Sequence, residues 1–228
     1  MALRLESRPV GDVLVIQCHG RIVAGNDVYA LHALVGDSLA HHADLVLQLD
    51  GVEFVDSSGL GALVRLLQAA RAKGGDLKLS GVPAMLRRSL EMTHLTSQFE
   101  LYDSVDEAIT AAYLGSRYSR SMEGDARPRV LCLYESSDVR TFVREVLIGA
   151  GYNALTVANI DDAKILLKAT KAKLVLISAH LQSYYGRPTS KVLQEIDPAV
   201  SLVVLDENFA TLEPGDAAQK LLSCIAAN

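Results

Sequence analysis

Leu45-Val46-Leu47-Gln48-Leu49-Asp50-Gly51-Val52-Glu53-Phe54-Val55-Asp56-Ser57-Ser58-Gly59-Leu60-Gly61, continued by Ala62-Leu63-Val64-Arg65-Leu66-Leu67, is the stretch that decides the fold. Its first part is an apolar run with little room for a polar face, the pattern of a buried strand. After Ser57 the apolar residues recur at helical spacing, so a tight polar turn carrying Asp56, Ser57 and Ser58 joins strand to helix. Asp and Ser side chains accept hydrogen bonds from the free amides of a helix start, and the same amides with the helix dipole favour negative charge there. A phosphate on Ser58 would be tolerated by its own chain. It would also add about −1.5 to −2 charges beside Asp56, which any partner docking over the turn must accommodate.

Working outward, the early chain reads as strand, strand, helix. Val13 to His19 is a β-rich run ending at Gly20, and a shorter strand from Leu3 to Glu6 precedes it across a turn at Pro9-Val10-Gly11-Asp12. Asn26 or Asp27 is expected to cap a helix reaching about Ala40, with Val28, Leu31, Leu34, Val35 and Leu39 on its apolar stripe. His41 and His42 at its end read as a solvated helix terminus, because neighbouring residues of one segment rarely chelate without further ligands. Beyond the organising turn, a helix from about Ser58 to Lys73 stops at Gly74-Gly75, and Leu77 to Ser80 is a strand. Pro83 opens a helix whose Met85, Leu86, Leu90 and Met92 are expected in the core. Phe99 to Tyr102 is a short strand, and Ser104-Val105-Asp106-Glu107 is a capping-box signature for a helix to about Leu114. Alternating strands and helices imply an α/β layer fold with a mixed sheet.

This first part resembles the STAS domain of bacterial anti-sigma-factor antagonists, on Asp56-Ser57-Ser58-Gly59-Leu60-Gly61 following a Leu-Gln-Leu-Asp-Gly-Val-Glu-Phe-Val strand. The resemblance covers residues 1 to 114. It implies that Ser58, the second serine of the pair, is phosphorylated by an anti-sigma-factor serine kinase and reset by a serine phosphatase. Asp56, Ser57, Gly59 and Leu60, with Asn26 and Asp27 in the earlier loop, would then contact the partner. Many family members carry an acidic residue after the Gly-Arg-Leu stretch, whereas this chain has Val23 in Gly20-Arg21-Ile22-Val23-Ala24-Gly25.

Residues 115 to 128 break every periodicity and are rich in Gly, Ser, Arg and Pro, as a linker is. From 129 to 228 the chain alternates again: strand Val130 to Tyr134, helix Asp138 to Ile148, strand Asn153 to Val157, a helix around Ile160 to Leu167, and strands at Leu174 to Ile177 and Leu202 to Leu205. That repetition predicts a doubly wound, flavodoxin-like parallel sheet with functional loops at the strands' carboxyl ends.

The second half is similar to the receiver domain of response regulators, on Glu135-Ser136-Ser137-Asp138-Val139-Arg140, the amphipathic helix after it, and Gly149-Ala150-Gly151-Tyr152-Asn153. Carried over by position, the acidic pair of a receiver falls on Tyr134 and Glu135, the phosphoacceptor on Ser178, the threonine on Asp206, and the lysine, at a stub of fifth strand, on Glu213. The resemblance therefore implies a degenerate receiver that serves as a surface for a further signalling protein. Glu135, Asp206 and Glu213 are expected as separate solvated loop ends and not as a metal site.

The chain has 228 residues, half of them apolar and 21% charged, an ordinary globular composition divided between two domains. A net charge of −5 without a Lys/Arg cluster argues against nucleic acid. Cys18, Cys132 and Cys224 have none of the paired spacings of zinc, haem or redox sites and read as core residues in a reducing compartment. No run approaches the ~20 apolar residues of a membrane span and the N-terminus lacks a signal-peptide pattern, so a soluble, cytoplasmic protein is expected. Nor do the glycines read as catalytic: neither serine of the turn has the first glycine of a Gly-x-Ser-x-Gly elbow, and Gly59-Leu60-Gly61-Ala62-Leu63-Val64 lacks the third glycine of a dinucleotide fingerprint. A regulator without enzymatic activity, cofactor or metal is the expectation. The alternative is a constitutive adaptor or scaffold with no phosphoswitch.

Overall fold

The structure is a computed structural model that describes residues 2–115 and 127–227. It contains two compact units, Met1–Tyr118 and Ser119–Asn228. Most of the expected linker lies outside the described residues.

The first unit is a five-stranded mixed sheet in the order β1-β2-β3-β4-β5. Strand β1 (Arg4–Val10) runs antiparallel to β2 (Val13–Ile22), while β3 (Asp44–Val55), β4 (Leu77–Ser80) and β5 (Glu100–Tyr102) continue parallel. β1 extends through Pro9, and only Gly11 and Asp12 form the turn. Proline is admitted because β1 is an edge strand, where a missing N–H costs no ladder bond.

Side chains alternate between the two sheet faces. Leu14, Ile16, Cys18, Leu45, Leu47, Leu77 and Leu79 form one cluster with Leu31 and Val35 of α1 (Asn26–Ser38), Leu63, Leu66 and Leu67 of α2 (Ser57–Ala72), and Leu86 and Leu90 of α3 (Ala84–Met92). The intervening Val13, Val15 and Val46 are equally buried, and α4 (Val105–Leu114) packs on β2, β3 and β4 with Ala108, Ile109 and Ala112. Tyr113 of α4 is 1% exposed; its hydroxyl donates to the Val10 carbonyl at 3.2 Å and accepts from the Asp12 amide at 2.8 Å. One phenol thus ties the last helix to the first hairpin.

Two further sequence expectations fail in this unit. Neither Asn26 nor Asp27 caps α1: the cap position is Gly25, at φ 98°, and both polar residues lie in the first turn, where the Asp27 carboxylate accepts from the Leu3 amide at 3.2 Å. Met85 and Met92 are not core filler, being 42% and 77% exposed, because the buried stripe of so short a helix needs only Leu86 and Leu90.

The second unit has a four-stranded parallel sheet in the order β11-β8-β6-β7, formed by β6 (Arg129–Leu133), β7 (Asn153–Val157), β8 (Leu174–Ser178) and β11 (Ser201–Leu205). Numbered by these four strands, the order is 2-1-3-4, the flavodoxin-like order without its fifth strand. α5 (Ser137–Gly149) and α8 (Pro214–Ala226) share a cluster with Val130, Cys132, Leu176, Val203 and Leu205. α6 (Ile160–Thr170) packs on β6 and β7 and touches α7 (Thr189–Gln194). A two-stranded hairpin, β9 (Ser183–Tyr184) and β10 (Arg187–Pro188), fills the connection after β8.

The expected stub of fifth strand is absent among the described residues. After β11 comes a single 3₁₀ turn, Phe209–Thr211, and Glu213 is the cap position of α8, with Pro214 starting that helix. Proline's fixed φ and missing N–H suit a first helical position and would leave a gap in a central strand's ladder.

Candidate functional site

In the first unit, β3 ends at Val55 and α2 begins at Ser57, so Asp56 alone is the hinge between them and the helix cap. Its extended backbone (φ −89°, ψ −179°) sends the carboxylate back over the helix start. Oδ1 accepts from the Gly59 amide at 2.7 Å, and Oδ2 accepts from the Ala24 amide at 3.0 Å in the loop between β2 and α1. The Asp56 amide donates to the Ile22 carbonyl at 3.3 Å. One carboxylate therefore fastens two loops together. The Ala24 amide, then the Gly59 amide, with further help from the Ser58 amide and the Arg21 charge, hold its pKa below the usual carboxylate value.

Gly59 is where the two elements touch. A Cβ at this position would lie 2.3 Å from the Ile22 carbonyl oxygen and 2.7 Å from Val55 Cγ1, so only glycine permits this approach of α2 to the end of β2. Leu60 is buried beneath the turn in the core cluster. Ser57 and Ser58, by contrast, are exposed at the first and second positions of the helix. Asn26 is exposed and Asp27 half-buried on the neighbouring first turn of α1. The motif thus divides its labour: Asp56 and Gly59 build the turn, and the serines are displayed on it.

Three residues beside this turn escaped the sequence reading. Arg21 and Phe54 are cross-strand partners at the ends of β2 and β3, and the Arg21 guanidinium lies over the Phe54 ring, 5.3 Å from its centroid. Phe54 is 40% exposed, and Tyr29, on the first turn of α1, is 76% exposed. Phe54 sits in a run that reads as continuous buried strand, and only the register with Arg21 reveals that it faces solvent.

In the second unit the residues placed by the receiver resemblance meet at the carboxyl ends of the strands, with one exception. Tyr134 follows β6, is buried, and has its hydroxyl pKa pushed up chiefly by burial. Arg140 donates from Nη1 to the carbonyls of Tyr134 and Glu135, each at 2.7 Å, while the Glu135 side chain is exposed. Ser178, fully buried at the end of β8, accepts from the His180 amide through Oγ at 3.2 Å. Asp206 follows β11 and is paired with Lys220 of α8. Glu213 is the exception, standing at the start of α8 and not on a strand end. Among the described residues no group of three or more His, Cys, Asp or Glu is arranged to hold a metal ion.

The comparisons with known proteins bear on the first unit. Residues 4–108 match the model of the STAS domain, so the chain carries a STAS domain at its N-terminal side. An anti-sigma F factor antagonist of Paenibacillus polymyxa is 33% identical over 66 residues, 29% of this chain and 56% of that protein. The chain thus spans little more than half the length of that relative. Among solved structures, an anti-sigma factor antagonist from Mycobacterium paratuberculosis is 26% identical with a TM-score of 0.44, covering 49% of this chain and 94% of the other. SpoIIAA in its unphosphorylated form, also an anti-sigma factor antagonist, is 18% identical with a TM-score of 0.41, covering 50% and 99%. No helix among the described residues is long and apolar enough to cross a membrane.

Proposed function

We propose that this protein is an anti-sigma-factor antagonist of a partner-switching pathway, controlled by phosphorylation of Ser58. Unphosphorylated, the turn at Asp56, Ser57, Gly59 and Leu60, together with Asn26 and Asp27, docks an anti-sigma-factor serine kinase. Phosphorylated, it releases that partner, because the added charge would have to be desolvated beside an ionised Asp56. The kinase supplies the ATP chemistry and a serine phosphatase resets the serine; the antagonist catalyses nothing. The observation that carries this reading is the exposure of Ser58 on a turn that Asp56 and Gly59 hold rigid.

The test is phosphosite mapping by mass spectrometry on the protein isolated from its own cells, wild type beside Ser58→Ala. Phosphate at Ser58 that disappears in the variant supports the switch, and the co-purifying kinase becomes the titration partner. Against that kinase, Ser58→Asp is expected to weaken binding by about tenfold or more, equivalent to roughly 1.4 kcal/mol.

A constitutive adaptor is the second reading, favoured by a second unit that has Ser178 where a receiver carries its acceptor and Lys220 in an ion pair with Asp206. In that reading the second unit is a fixed surface for a further signalling protein. It predicts no phosphate at Ser58 under growth or stress and an unchanged affinity in Ser58→Asp.

A further inference from the structure

Two amides of the helix start, those of Gly59 and Ser58, already serve Asp56 in this turn. Asp56 takes the Gly59 amide on Oδ1 and the Ala24 amide on Oδ2, and the Ser58 amide also favours its charged form. A phosphate on Ser58 would bring about −1.5 to −2 charges next to that carboxylate without those donors. It needs a cation from elsewhere in the fold. Arg21 is the base that already acts on Asp56, and it lies one residue before Ile22, whose carbonyl accepts the Asp56 amide and packs against Gly59. Its exposed guanidinium rests over the half-open Phe54 ring.

Resting on the Ser58 reading above, we infer that Arg21 is the positioning residue of the phosphorylated state: its guanidinium leaves the Phe54 ring and binds the phosphate, uncovering Phe54 as the charge is added. A cation over an exposed aromatic ring is weakly held, whereas a guanidinium on a phosphate makes two parallel charge-assisted hydrogen bonds. Phosphorylation then changes two properties of one face, its charge at Ser58 and its apolar surface at Phe54. Asp56 on the turn is the acid that opposes the phosphate and Arg21 is the base that answers it from the end of β2, while α2 also carries Arg65, whose guanidinium reaches back to Gly61 and whose Nε donates to His32 of α1 at 3.3 Å.

The experiment installs phosphoserine at position 58 of the full-length chain during synthesis, so it does not depend on any kinase. Phosphorus NMR then follows the second ionisation of the phosphate in wild type, Arg21→Ala and Arg21→Lys. Arg21 is expected to lower that pKa by about half a unit or more relative to Arg21→Ala, with Arg21→Lys between them because it keeps the charge and loses the fork. In wild type, the Arg21 Nε–Hε resonance is expected to shift on phosphorylation as the ring contact is lost, a readout that needs no variant. Equal phosphate pKa values in the three proteins, or an unmoved Arg21 resonance, overturn the inference. Absence of Ser58 phosphate in cells would instead overturn the functional reading and leave this local geometry standing.

Discussion

Asp56 and Gly59 show how a short motif can fix a site through two unlike demands, one for an acceptor and one for space. The Asp56 carboxylate has its pKa held down chiefly by backbone amides, so the unfolded chain takes up a proton on it at higher pH than the folded chain does. Its contribution is therefore present above the ordinary carboxylate pKa, about 3.9, and fades as pH falls through the lower folded value. Asp56→Ala is accordingly expected to lower the urea midpoint at pH 7, by a margin that narrows as the pH is taken below 4. A margin that does not change with pH would mean that the ionised carboxylate is not its source. Gly59→Ala sets a gain against a clash. Alanine favours a helix over glycine by about 1 kcal/mol, but a Cβ 2.3 Å from the Ile22 carbonyl forces backbone apart. A net loss on the order of 2 kcal/mol is expected in urea unfolding followed by circular dichroism. A neutral result would show that α2 slides freely against β2.

At the scale of elements, Tyr113 is the clearest long-range tie of the first unit. Its buried hydroxyl joins α4 to the turn between β1 and β2, about a hundred residues earlier in the chain. Tyr113→Phe keeps the ring and removes the hydroxyl's bonds to the half-buried Asp12 amide and the Val10 carbonyl, a loss of about 1 kcal/mol. The melting temperature of the first unit is expected to fall while helix and strand content stays the same. Periodicity foresaw α4 and its Ser104 cap, which accepts from the Glu107 amide at 3.2 Å. It could not foresee the phenol's partners, because nothing local marks a tyrosine as a tie between ends. The same limit explains α1. Asn26 and Asp27 are good caps by chemistry, yet a loop turning at Gly25 with φ 98° starts the helix one residue earlier.

At the scale of the whole molecule, each unit has its own sheet and its own core cluster, and the two sheets follow different rules. The first begins with an antiparallel hairpin and ends in parallel crossovers. The second is parallel throughout and stops at four strands. At the carboxyl ends of its strands stand Tyr134, Ser178 and Asp206, the last paired with Lys220, and the position onto which the receiver resemblance carries the phosphoacceptor holds a buried serine hydroxyl. The chain incubated with acetyl phosphate and magnesium is therefore expected to gain no phosphate at Ser178 by intact-mass and peptide analysis. Phosphate appearing there would give the second unit a sensor's role.

The sequence by itself determined the strand, turn and helix around Asp56, the capping chemistry of that turn, and the alternation of elements in both halves. These are local properties, set by side-chain period and by groups three or four residues apart. Contacts between residues distant in the chain were decided by tertiary structure alone: the Ala24 amide on Asp56, the Ile22 carbonyl that demands Gly59, Arg21 across from Phe54, and Lys220 on Asp206. So was the missing fifth strand, since only the packing of α8 against α5 and β11 shows how the sheet is closed after β11. The physical reason is the same in each case. A residue's own preferences fix its backbone neighbourhood, whereas its partner across the fold is chosen by the register of strands and the packing of helices, which no single stretch contains.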